Sequence, residues 1–66
     1  MNPEVHAYLT AAFSSLCSDG IYIAPEVPKQ FVKPTIEFCE RFGKLINKVP
    51  NSLESYILVF QKNKEG

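Results

Sequence analysis

Three prolines within ten residues, Pro25, Pro28 and Pro34, keep any regular helix from running through the middle of this 66-residue chain. Each fixes φ, removes a backbone donor and pushes the residue before it out of the α region. The chain therefore divides into an N-terminal arm, an extended connector over residues 20–33 and a C-terminal half. Ile21-Tyr22-Ile23 has strand propensity, but the prolines that follow favour a crossover, with a short helical turn at Phe31-Val32. There is no repeat or low-complexity stretch, and residues 1–66 read as a single small domain.

The N-terminal arm reads as a helix over about residues 3–18. Asn2 suits the N-cap, Pro3 the first helical position, and Glu4 the positive end of the helix dipole. Val5, Tyr8, Leu9, Ala12, Phe13 and Leu16 recur at i, i+3, i+4, i+7, i+8 and i+11, one stripe of a 3.6-residue wheel. Ser18-Asp19-Gly20 ends it, with Gly20 expected in the left-handed conformation.

A second helix is expected over about residues 34–48. Phe38, Phe42, Leu45, Ile46 and Val49 supply its stripe, with Thr35 and Cys39 on the flanks. Glu37–Arg41 and Glu40–Lys44 stand at i,i+4 in the favourable order, and Gly43 would mark a close helix crossing. Pro50-Asn51-Ser52 reads as a breaker followed by a cap, opening a third helix over about residues 52–62 on Leu53, Tyr56, Ile57 and Phe60. Residues 61–66 form a polar tail. The expected fold is thus all-α, a small three-helix bundle with a proline-rich crossover between the first and second helices. The alternative is α+β with residues 55–60 as a strand, because Tyr56 to Phe60 are all apolar.

A domain this small has a core worth roughly 3–5 kcal/mol, so a partner chain is an available source of further stability. Leu58 and Val59 fall off the third stripe, and Ala7 and Ala11 lie off the first. These residues, with Ile21 and Tyr22 of the connector, are the candidate interface. A homodimer and a larger protein partner are the expected associations, and the expected role is a non-catalytic interaction or regulatory module.

No chemistry-bearing constellation emerges. His6 and Cys17 would lie about 16 Å apart on one helix, too far for a thiolate–imidazole pair. One histidine and two cysteines, Cys17 and Cys39, do not make a metal site. No catalytic residue, metal ligand or cofactor is assigned, and no enzyme activity is expected. No apolar run approaches the ~18 residues of a membrane span, so no membrane role is expected. Asn2, Pro3 and Glu4 stand where a basic signal region would begin, which points to a cytoplasmic protein with free thiols.

Thr35-Ile36-Glu37-Phe38-Cys39-Glu40-Arg41-Phe42-Gly43 resembles the first helix and turn of helix-turn-helix proteins of the excisionase and small phage-regulator kind. That resemblance implies a dimeric DNA-binding regulator with Lys33, Arg41, Lys44 and Lys48 on nucleic acid. The residues beyond it depart from the pattern, since the next helix would be strongly apolar and offer few donors to base edges. Seven basic and seven acidic residues also cancel, where phosphate contacts would call for net positive charge. Residues 1–27 nevertheless carry three acids and no Lys or Arg, while residues 28–66 hold all seven basic residues against four acids.

Overall fold

A computed structural model of the chain describes residues 2–64. Its elements run α1 (Pro3–Ser14), β1 (Ile21–Pro28), a 3-10 turn (Lys29–Phe31), α2 (Val32–Cys39), β2 (Gly43–Pro50) and β3 (Ser55–Lys62). The strands form one antiparallel sheet in the order β1-β3-β2. The all-α three-helix bundle is therefore replaced by an α+β fold with two helices and a three-stranded sheet. The strand alternative for residues 55–60 is the one the chain adopts, extended to Lys62.

α1 begins where its sequence says it should. Asn2 is the N-cap and its side chain accepts a hydrogen bond from the Glu4 amide at 2.8 Å. The helix stops at Ser14, short of the expected residue 18. In the turn that follows, Asp19 and not Gly20 takes the left-handed conformation, at φ 64°. Aspartate tolerates that region because its short side chain bonds locally. Gly20 serves close approach instead: a Cβ there would lie 2.8 Å from the Cys17 carbonyl oxygen.

The connector expected at 20–33 contains β1. Its prolines are compatible with a strand because β1 lies at the sheet edge, where one side of the backbone needs no partner. Pro25 falls within the irregularity between Ala24 and Val27, and Pro28 closes the strand.

The helix expected over 34–48 is cut to Val32–Cys39, and Pro34 sits in its first turn, where proline is tolerated. Its buried residues are Val32, Thr35 and Cys39, so the true inner face is the one read as a flank. Gly43 marks no helix crossing. It opens β2, and a side chain there would run into the Gln61 backbone of β3. The i,i+4 ion pairs lose their common helix, and Arg41 lies over the Phe38 ring at 4.8 Å.

Residues expected to cap a third helix instead build the β2–β3 hairpin. The amides of Asn51 and Ser52 donate to the Ser55 carbonyl, and Ser52 Oγ accepts from the Glu54 amide at 3.3 Å. Asn and Ser satisfy local amides equally well in a turn and at a helix start, so the same residues serve both. Leu53, expected to lead the third stripe, is 95% exposed at the hairpin tip. Gln61 and Lys62 of the expected tail belong to β3, and residues 65–66 lie outside those described.

Both helices cover the same face of the sheet. The core comprises Leu9 and Phe13 of α1, Val32 and Cys39 of α2, Ala24 and Val27 of β1, and Leu58 and Phe60 of β3. Phe13 is its centre, with ring centroids 5.2 Å from Tyr22, 5.3 Å from Phe42 and 6.0 Å from Phe60. His6 stacks on Phe38 at 4.2 Å and ties α1 to α2.

Candidate functional site

A groove of about 450 Å³ opens where the first half of α1 passes the β1 edge and the 3-10 turn. Val5, Tyr8 and Leu9 form the α1 wall, and Tyr22, Ala24 and Val27 come from β1. Phe31 and Thr35 close the far side, with Pro25, Glu26 and Pro28 at the strand's irregular end. Each position follows from local structure. Val5, Tyr8 and Leu9 share a helical stripe, and of these three only Leu9 is buried, leaving Val5 exposed and Tyr8 65% exposed along the groove. Alternation along β1 sends Tyr22 and Ala24 inward, and the irregularity after Ala24 lets Val27 face the same way.

The groove is apolar with few polar groups. Among the described residues, Glu26 is the single charged one in its lining. Burial, followed by the neighbouring Tyr8 phenol, pushes the Tyr22 pKa up to about 12. The Tyr22 phenol is therefore neutral at neutral pH. Among the described residues, no histidine, cysteine or serine lines the groove, and His6 is engaged with Phe38. Both cysteines are free, Cys17 exposed and Cys39 buried, and burial pushes the Cys39 thiol up to about 11. A thiol held protonated is a poor nucleophile. Among the described residues no group of three or more His, Cys, Asp or Glu gathers to hold a metal ion. Among them, too, no helix is long and apolar enough to cross a membrane. The arrangement can bind an apolar group and place a cation beside Glu26.

The candidate interface residues separate. Leu58 is fully buried in the core, because a strand's period of two puts it on the same face as Phe60; it forms no part of an open surface. Tyr22 enters the groove. Ile21 and Val59 lie on the opposite, uncovered face of the sheet, and Ala7 and Ala11 are exposed on α1. The candidate nucleic-acid residues come from different elements. Lys33 is on α2, Arg41 lies over Phe38, Lys44 is on β2, and Lys48 Nζ lies 5.1 Å from the Tyr56 ring centroid. Since residues 43–50 are a strand, the helix-turn-helix resemblance ends at the turn and no recognition helix follows. Comparison with family models, with curated proteins and with solved structures finds no match.

Sequence reasoning missed Val5 and Tyr8, assigned to the core, and Phe31 and Glu26, left in the connector. A signal was present for the last two. An aromatic and a carboxylate flanking Pro28 are held at fixed spacing by a stiff backbone, as recognition surfaces often require.

Proposed function

We propose that the protein is a non-catalytic interaction module that holds a short apolar segment of a larger protein in the groove between α1 and β1. The observation that carries this reading is the groove itself: about 450 Å³, apolar, with two phenols and one carboxylate. Its volume is within the roughly 300–1,000 Å³ of sites that bury a ligand. Pro25 and Pro28 take amide donors away from the β1 edge, so strand addition is blunted and recognition falls to side chains. The segment that fits carries two or three apolar or aromatic side chains and a Lys or Arg to meet Glu26. A regulatory role in the cytoplasm is the natural setting, where Cys17 and Cys39 stay reduced.

Selection of random dodecapeptides displayed on phage tests the reading. The wild-type chain is expected to enrich peptides that combine apolar residues with Lys or Arg. Tyr8→Arg, at a position too exposed to matter for folding, is expected to weaken binding of an enriched peptide by about tenfold or more. Glu26→Lys is expected to remove the preference for a basic residue. No enrichment over a blank surface, or peptides that bind Tyr8→Arg equally well, overturns the proposal.

A further inference from the structure

The helices leave one whole face of the sheet bare. An antiparallel sheet with one face in water ordinarily alternates apolar-in and polar-out. Here the outward residues are largely apolar. The strand register places Ile23 and Asn47 on either side of Val59, and Val49 beside Ile57. Ile21 and Lys44 flank Gln61 at the end of the sheet. Ile21 is 46% exposed and Ile23 56%, while Val59 and Ile57 keep part of their surface open between the two edge strands.

From this arrangement we infer that the bare face is covered by a second copy of the chain, packed sheet on sheet about a two-fold axis. This inference stands independently of the groove, which opens on the helical side of the sheet. Two features select a second copy. The first is charge. Outward positions of the register carry one ionisable residue, Lys44, at the end of an edge strand, and no acid. A face without charge at its centre meets its own duplicate without opposing like charges, and an isologous contact requires that self-complementarity.

The second feature is area. Three strands of eight residues make a face of roughly 25 × 14 Å at the usual rise and spacing, about 350 Å² when flat. Two such faces with their side-chain relief bury roughly 1,000 Å² in all, about the least that a specific interface needs. Sheets about 10 Å apart would interleave Ile23, Ile57 and Val59 as the inner layers of a sandwich do. An interface at that lower limit holds a dimer that dissociates on dilution.

Solution mass decides, measured by sedimentation equilibrium from roughly 1 µM to 1 mM, the span over which an interface of this size dissociates. The wild-type chain is expected to rise from 7.5 kDa to about twice that mass as concentration increases. Ile23→Lys and Val59→Lys, each with an unchanged circular dichroism spectrum, are expected to stay at 7.5 kDa throughout. Ile23 is the safer of the two because it is the more exposed. Ala11→Arg, on the helical side, is expected to dimerise like the wild type. A wild-type chain that remains monomeric at ~1 mM, or a dimer that survives Ile23→Lys, overturns the inference. Binding of the monomer to neutral phospholipid vesicles, lost in Ile23→Lys, would assign the face to a membrane surface and overturn it equally.

Discussion

The ring of Phe13 on α1 lies 5.3 Å from that of Phe42, inclined to it by only 15°. Phe42 belongs to the turn between α2 and β2, so this contact fastens the first helix to the point where the chain changes from helix to strand. Phe13 is fully buried and also meets Tyr22 and Phe60. Phe13→Ala is expected to cost about 3–5 kcal/mol, comparable with the whole stability of a domain this size. Chemical denaturation should find that variant largely unfolded in buffer, with Phe13→Leu folded but weakened.

Gly43 offers a test whose sign discriminates between helix and strand. In a helix interior, Gly→Ala would stabilise by about 1 kcal/mol. In the hairpin, the added Cβ meets the Gln61 backbone, which cannot move aside without disturbing the central strand. Gly43→Ala is therefore expected to destabilise by about 1–3 kcal/mol, measured as a lower urea midpoint at unchanged slope.

Alkaline pH should loosen the fold before it would loosen a chain without buried acids. Tyr22 rises from 10.0 to about 12 and Cys39 from 9.0 to about 11 on folding, both chiefly through burial. In each case the folded state favours the protonated form, so the unfolded state gives up its proton first. Their stabilising contribution is complete below about pH 9 and falls as pH rises through 9–12. Tm should be flat from pH 7 to 8.5 as far as these two groups determine it, and decline above that. Tyr22→Phe should show a shallower decline.

The two thiols should differ in reactivity. Cys17 is exposed and Cys39 fully buried with a raised pKa. An aromatic disulfide reagent at pH 8 is expected to modify one thiol per chain quickly and the second only in denaturant. Equal rates in buffer would contradict the burial of Cys39.

The cap at Asn2 should be worth what such caps ordinarily are. Its carboxamide oxygen accepts from the Glu4 amide at 2.8 Å. Asn2→Ala is expected to cost about 1 kcal/mol, and Asn2→Asp to be nearly neutral. Thermal unfolding followed at 222 nm would detect the loss.

The first helix was legible in the sequence because everything that makes it is local. Asn2 caps it, Pro3 starts it, and Leu9 and Phe13 mark its inward stripe within a few turns. The rest was ambiguous for a specific reason. Leu45, Ile46 and Val49 satisfy a helical repeat, yet they become a strand once residues 43–50 have β3 to pair with. Ser52 is as good in a hairpin turn as at a helix start. Leu58 reads as an outlier at a period of 3.6 and as core at a period of 2, and only the neighbouring strands decide which period applies.

The surfaces divide in the same way. Ile21 and Val59 could be marked as surplus apolar residues from sequence alone, but not that register would set them on one uncovered face. The groove was not legible, because Tyr8, Tyr22, Glu26 and Phe31 come together only when α1 lies across the β1 edge. What the sequence by itself determined was one capped helix, a proline-bound middle that no helix could cross, and more apolar surface than one small core uses. The tertiary structure decided which segments are strands and which residues face outward, because strand pairing is a non-local bond between segments that no local window contains.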